Sequence, residues 1–499
     1  MLIKPQKEDF KVISYYLGKI SCGLAITMLL PLLAAFGYQE WAPAFDFISG
    51  AGVALIVGCL LTINQPKRTD LSWSNGIVVA GLSWLLAMVL AAVPLFLSGH
   101  FGSFLDSLFE AMSGFATTGL SLTRDVDHMA QSYNLWRHFT QFLGGQGIVV
   151  IALTFFVAKT SGVFSLYVGE ARDEKILPNV VSTARFIWLV TFVYLFLGVA
   201  SLTIIGLQLG LSTMRSFFHG LCIFMASWDT GGFSPQSQSI LYYHSLSYET
   251  VTFFIFFSGS INFGLHYLIW SGRRRELWRD LETRTYLFTI ATTAFLVLVG
   301  LTQLVSFPNL PSIFRIGFYQ VLSGHTGTGF MTVTTKQFSQ WNDLSLLGII
   351  LAMAIGGCTS STAGAIKTLR IGVVAKGLWR QVKTVFTPEQ GMVIEKVHHF
   401  RDTVLEDKQV QAAGLVVIAY IFLYLLGAIM GILCGHPFLS ALFESVSAAA
   451  NVGHTIGITS PAMPNLLKVT YILQMWVGRF EFLATFVIFG FIASLFKGK

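Results

Sequence analysis

His325-Thr326-Gly327-Thr328-Gly329-Phe330 follows an amphipathic stretch, Ile313 to Gly324, that is too short to cross a membrane. Three other segments repeat the design. Phe104 to Phe115 runs into Ala116-Thr117-Thr118-Gly119-Leu120, Met214 to Ser227 into Trp228-Asp229-Thr230-Gly231-Gly232-Phe233, and Phe438 to Ala450 into Asn451-Val452-Gly453-His454. Each lies between two long apolar stretches, so the chain reads as span, re-entrant segment and returning span, four times over. With Gly119, Gly231, Gly329 and Gly453 aligned, the residues nine positions earlier are Glu110, Cys222, Gln320 and Glu444, preceded by Phe109, Leu221, Tyr319 and Phe443. Cys222 breaks the aromatic-then-polar step, which marks the second repeat as diverged.

Working outward, the 499 residues are 54% hydrophobic and 11% charged, about half the charge of an ordinary soluble domain. Stretches without Asp, Glu, Lys or Arg run over 20–39, 47–66, 71–99, 138–158, 186–214, 250–272, 285–314, 344–366 and 409–443. A tenth, 469–496, contains Arg479 and Glu481. Each reaches the roughly 20 residues that a spanning helix needs. The expected fold is an all-α membrane protein of ten transmembrane helices, with four helix–pore-loop–helix repeats in pseudo-fourfold arrangement around one pore. Residues 1–68 form an N-terminal helix pair; the repeats occupy 69–170, 171–276, 277–395 and 396–499, the third with an interrupted second helix.

The net charge of +7 is a topology signal rather than a nucleic-acid footprint. With the N-terminus in the cytoplasm, 24 of the 32 Lys and Arg fall in inside segments, so both termini are expected there, in a multi-pass protein of the cytoplasmic (inner) membrane. The first apolar run, without a small-residue cleavage pattern, reads as a retained helix. Cys22, Cys59, Cys222, Cys358 and Cys434 show neither disulfide nor zinc spacing. The chain carries no H-E-x-x-H, G-x-S-x-G or phosphate-loop motif. No enzyme, organic cofactor or nucleic-acid partner is expected.

Irregular backbone in hydrocarbon must be buried in protein or line a wet cavity. A short helix entering from outside aims its carbonyl end, with about half a negative charge, at the pore centre, which favours cations. Glycine there lets successive carbonyls turn inward and replace an ion's water shell. Residues 356–365, ten in a row of Gly, Ser, Thr, Ala and Cys, interrupt a span and make a poor helix. They suit either close helix packing or a mobile loop. Arg479, costly inside a span by about 2.5–3.5 kcal/mol, must face a pore or a partner. Asp229 is read either as drawing cations to the outer mouth or as solvated, and His325 and His454 either as titrating groups or as packing groups. Glu110 and Glu444 are expected to brace the short helices.

With Gln141-Phe142-Leu143-Gly144-Gly145-Gln146-Gly147-Ile148, Asn262-Phe263-Gly264-Leu265-His266-Tyr267 before Trp278-Arg279-Asp280, Gly356-Gly357-Cys358-Thr359-Ser360-Ser361-Thr362-Ala363-Gly364-Ala365-Ile366-Lys367, and Gly478-Arg479-Phe480-Glu481, the chain resembles the TrkH-like branch of the Trk/Ktr/HKT superfamily over nearly its whole length. The resemblance implies potassium uptake through a selective pore. It also implies a filter glycine in each loop, at Gly119, Gly231, Gly329 and Gly453, with K+, the transported ion, held mainly by backbone carbonyls. The filter set is then Thr117, Thr118, Gly119, Thr230, Gly231, Thr328, Gly329, Asn451, Val452 and Gly453. The gate set is Gly356, Gly357, Cys358, Thr359, Ser360, Ser361, Thr362, Ala363 and Gly364, with Arg479 nearby as a fixed positive charge. The resemblance further implies a homodimer docked on a cytoplasmic ring of nucleotide-binding, TrkA-like regulatory subunits, for which 159–185, 273–284 and 367–408 are the candidate surfaces. A sodium- or proton-coupled transporter with broken helices is the alternative.

Overall fold

The computed structural model describes residues 4–63, 65–66, 71–147, 180–303, 309–388, 391 and 393–497. Most of the candidate docking segment 159–185 lies outside them, as does the second half of the expected span 138–158. The N-terminal pair comprises α1 (Lys7–Thr27), α2 (Leu29–Gly37) and α3 (Trp41–Thr62). Next come α4 (Trp73–Leu97), α5 (Phe104–Phe115) and α6 (Gln131–Gln146), then α7 (Val180–Gln208), α8 (Thr213–Trp228), α9 (Leu246–Gly259) and α10 (Phe263–Trp270). The third group is α11 (Leu281–Leu301), α12 (Leu310–His325), α13 (Asp343–Ile355) and α14 (Thr368–Val385); the fourth is α15 (Asp407–Leu433), α16 (Phe438–Ala449), α17 (Asn465–Arg479) and α18 (Leu483–Lys497). A hairpin, β1 (Lys396–His399) and β2 (Arg401–Val404), joins the last two groups.

Local chemistry sets where these helices begin. Ser103 caps α5 by accepting from the amide of Asp106 at 3.3 Å, Asn309 caps α12 through Ser312 at 3.0 Å, and Asn342 caps α13 through Ser345 at 3.0 Å. Each side-chain oxygen satisfies an amide that the first turn leaves unpaired. On α15 the exposed residues Leu415, Ile418, Phe422, Ile429 and Leu433 mark one face, while Tyr420, Tyr424, Gly427, Ala428 and Gly431 are buried. A helix with a bare apolar outer face and a small-residue inner face is suited to lipid on one side and helix on the other.

Among the described residues, six helices are long and apolar enough to cross a membrane, or eight if each bent pair counts once. Of the other expected spans, α13 is 13 residues long, and α6 is followed for 16 residues, up to the end of the described stretch. Interruption of the third returning helix is not special to it. The second bends by 99° between α9 and α10, and the fourth by 105° between α17 and α18. These bends fall beside glycine: Gly259 ends α9, and Gly478 sits one residue from the end of α17. Past Gly478, Glu481 and Phe482 take positive φ of 49° and 71°, a conformation no helix continues through.

Candidate ion site

The four short helices α5, α8, α12 and α16 each end in a loop of the same shape. Two residues after each end the backbone turns to positive φ, and it does so again two residues further on. The first turning residues are Thr117 (53°), Thr230 (48°), Gly327 (80°) and Asn451 (56°); the second are Gly119 (85°), Gly232 (74°), Gly329 (78°) and Gly453 (99°). Between them, the amides of Thr118, Gly231, Thr328 and Val452 donate back to Ser113, Ala226, Ser323 and Ser447, at 2.8, 2.7, 2.9 and 2.9 Å. The loops are therefore superposable residue by residue, and the counterpart of Gly119, Gly329 and Gly453 is Gly232. Aligning the second loop on Gly231 places it one residue early.

The loops also meet one another in chain order. A Cβ built on Gly119 would strike the carbonyl oxygen of Gly231; on Gly232, that of Thr328; on Gly329, that of Val452; and on Gly453, that of Thr118. The fourth contact returns to the first loop, so the carbonyl-bearing residues Thr118, Gly231, Thr328 and Val452 form a closed ring. Gly119, Gly232, Gly329 and Gly453 together line one cavity of about 300 Å³, with Ser121, Arg137, Met331 and Thr455 on its walls. The oxygens Thr117 Oγ1 and Asn451 Oδ1 are buried with no hydrogen-bond partner among the described residues. Oxygen of this kind, carbonyl and hydroxyl, is the chemistry that can replace the water shell of a weakly hydrated cation.

Behind the ring, one position braces three loops. Glu110 accepts from the amide of Leu122 (2.9 Å) and from Ser121 Oγ, and pairs with Arg137 at 2.7 Å. Glu444 accepts from the amides of Ile456 (2.9 Å) and Ile458 (3.2 Å) and from the hydroxyls of Thr455 and Thr459, both at 2.6 Å. Gln320, with its amide oriented to satisfy its neighbours, accepts from the amide of Thr332 at 2.9 Å. In each case the residue nine before the glycine holds the amide three after it. In the second loop these positions are Ile223 and Pro235. Proline has no amide hydrogen to donate, so an acceptor there has nothing to receive. With the register corrected, Ile223 rather than Cys222 is the diverged residue. Gln141 takes over the bracing of that loop, donating to the carbonyl of Gly231 and accepting from the amide of Phe233 at 3.2 Å.

Residues 356–367 fill the gap between α13 and α14, all buried except the half-buried Thr359. The amides of Cys358 and Thr362 donate to the carbonyls of Ser260 (3.0 Å) and Gly259 (3.3 Å) at the α9 bend. Thr362 Oγ1 donates to the carbonyl of Trp228 at 3.0 Å and receives a bond from Thr230 Oγ1 at 3.3 Å. A Cβ on Gly364 would strike the carbonyl of Ala450, so the segment presses against the start of both the second and the fourth loop. Arg479 reaches in from the fourth returning helix, donating to the carbonyls of Thr362 (2.9 Å) and Gly144 (2.8 Å). Glu481 turns away from it and pairs with Lys367, at 3.7 Å, and with Arg370.

The TrkH family, described as cation transport proteins, matches residues 44–495. The chain belongs to that family. An uncharacterized cation transporter of Methanocaldococcus jannaschii is 29% identical to it, over 97% of this chain and 96% of its own length. The Trk system potassium uptake protein TrkH of Escherichia coli K12 is 27% identical, over 96% of this chain and 98% of its own. The crystal structure of the potassium transporter TrkH from Vibrio parahaemolyticus superposes with a TM-score of 0.81 at 22% identity, covering 96% of this chain and 98% of that one. The fold of this TrkH-family chain is thus that of the crystallised transporter.

Every residue of the expected filter set lies in the four loops, and every residue of the expected gate set in 356–364 or beside it. Sequence reasoning missed Gly232, although the Gly231-Gly232 pair and the following Phe233, which parallels Phe330 after Gly329, signal it. Lys367, Arg370 and Glu481 were also missed as a cluster, since 111 positions separate Arg370 from Glu481. Asp229 is fully buried, not at an outer mouth: its Oδ1 accepts from Gln146 at 2.9 Å, against Gly145. His325 and His454 are buried too, bonded to Thr289 (2.9 Å) and to the carbonyl of Phe330 (3.2 Å). Outside the spans, His398 bonds to Glu276 and Asp402, both at 2.7 Å, and these carboxylates raise it above its ordinary 6.5.

Proposed function

We propose that this chain takes up potassium through one pore. In this reading the carbonyls of Thr118, Gly231, Thr328 and Val452 form the filter, and 356–365 forms the gate. The closed order of contacts between Gly119, Gly232, Gly329, Gly453 and those carbonyls carries the reading, because four oxygen-bearing loops that touch in a cycle can share one ion between them. Relatives named for potassium uptake match along their whole length and supply the ion. Ten spans, two in the N-terminal pair and eight in the four repeats, then follow if α6 and α13 are each the outer half of a broken span, as α9 and α17 are in the bent pairs. The repeats of this reading begin at 69, 171, 277 and 396.

Arg479, held on the carbonyl of Thr362, adds positive charge at the gate. In a low-dielectric site such a charge raises the barrier for a cation until the segment moves. The positive-inside bias supports both termini in the cytoplasm, which places the hairpin and the start of α11 on the cytoplasmic side. A homodimer with a nucleotide-binding regulatory subunit on the basic segments 273–284 and 367–408 completes the proposal. Reconstitution in liposomes tests it: rubidium and potassium uptake should follow an imposed potential and exceed sodium uptake. Uptake that prefers sodium, or that requires a proton gradient, would replace the selective pore with coupled transport.

A further inference from the structure

We propose that Glu282 is the positioning residue that holds the gate segment in place, and that the hairpin sets Glu282 through His399 and Asp280. The proposal rests on reading 356–365 as the gate. Glu282 is fully buried in the first turn of α11. Its two carboxylate oxygens grip one residue of the segment, accepting from the Thr359 amide at 2.6 Å and from Thr359 Oγ1 at 3.2 Å. Asn262, at the α9–α10 bend, ties the pair together, donating to Glu282 at 3.4 Å and to Thr359 Oγ1 at 3.3 Å. Charge-assisted bonds of this kind are among the strongest single holds available to a loop.

Two residues earlier, Asp280 caps α11 by accepting from the Thr283 amide at 3.0 Å, and its other oxygen meets His399 Nδ1 of the hairpin at 2.8 Å. One donor atom each from Asp280, Glu282 and His399 lie within 4.8 Å of one another. His398 binds Glu276 just ahead of the cap, and the ring of Phe400, at the hairpin turn, lies against Gly264 of α10. The hairpin therefore touches both elements that carry the grip on Thr359. Beside it a cavity of about 610 Å³ is lined by Thr359, Ser360, Leu369, His399, Arg401 and Val416. That volume gives the released segment somewhere to go. A displacement of the hairpin would reach the gate through Asp280 and Glu282, without any contact to the filter.

The test compares Glu282→Gln, His399→Ala and the double variant of the full chain in liposomes, with hydrogen exchange read over 357–362. Loss of one charge-assisted bond biases a two-state segment about tenfold, so Glu282→Gln should raise rubidium influx about tenfold. The rubidium-to-sodium ratio should not change, and exchange over 357–362 should quicken. His399→Ala should act in the same direction, and the double variant should add little, because both act on one hold. Unchanged flux and exchange in Glu282→Gln would overturn the proposal, as would an altered ion ratio, which would put the charge on the ion path. Additive effects would overturn the role of the hairpin. If Glu282→Gln does not fold, exchange in His399→Ala decides, and unchanged exchange overturns the proposal. Absence of selective uptake by the unaltered chain would be a failure of the pore reading, separable from this one because exchange needs no conduction.

Discussion

At Gly119, Gly232, Gly329 and Gly453 the backbone holds a positive φ while a neighbour's carbonyl oxygen occupies the place of a side chain. A larger residue there meets both left-handed strain, about 1–2 kcal/mol, and a collision with the very oxygen that the proposed filter uses. Gly329→Ser should therefore lower the potassium-to-sodium permeability ratio by about tenfold or more, equivalent to about 1.4 kcal/mol; an unchanged ratio would count against the filter assignment. The second loop separates the two registers. Gly231 has ordinary φ, and a Cβ on it would meet the side chain of Gln141, 2.6 Å away, rather than backbone. Gly232→Ser should cost selectivity as Gly329→Ser does, and Gly231→Ser markedly less, in the same permeability measurement. From the residues alone, T-G in three loops draws the eye to Thr230-Gly231. The informative sign was Pro235, which cannot donate the amide that Glu110, Gln320 and Glu444 each secure elsewhere, and so pairs with Ile223.

The returning helices are where element-level reading from sequence was least complete. The break at 356–365 was legible because ten small residues cannot pass for a spanning helix. At the other two, only Ser260-Ile261-Asn262 and Phe480-Glu481-Phe482 separate apolar helices. Hydropathy averaged over a span passes smoothly across three residues, so a bend of about a right angle leaves no trace in it. The structure supplies the reason for the bends: a Cβ on Gly144, Gly259 or Gly478 would strike the carbonyl of Phe115, Trp228 or Ala449 at the end of a short helix. Three returning helices come this close to the end of a short helix, and two of them, at Gly259 and Gly478, bend there. The segment 356–367 and the bend are thus one structural unit, bonded through Gly259 and Ser260. Shortening 358–364 removes the bonds from Cys358, Thr359 and Thr362 together, and should raise rubidium flux with the permeability ratio kept. Flux that falls or stays level would mean that the segment supports the pore rather than closes it.

For the whole molecule, a single chain permits four quadrants of one plan to differ. The second braces its loop with Gln141 where the others use Glu110, Gln320 and Glu444, and it alone places a buried carboxylate, Asp229, at the foot of its loop. A homotetramer could not carry such differences. The all-helical membrane class was legible from composition, and four repeats from the recurring loops. A shared pore was expected from them too, but the particular contacts that close the ring were not legible, because they join residues about a hundred positions apart or more. The central claim is that one ion site is shared by all four loops, and it is tested most directly by locating the ion. In crystals grown with thallium or rubidium, anomalous scattering should peak at a point enclosed by the carbonyls of Thr118, Gly231, Thr328 and Val452. A peak bound by fewer than four loops, or no peak within the ring, would contradict the account.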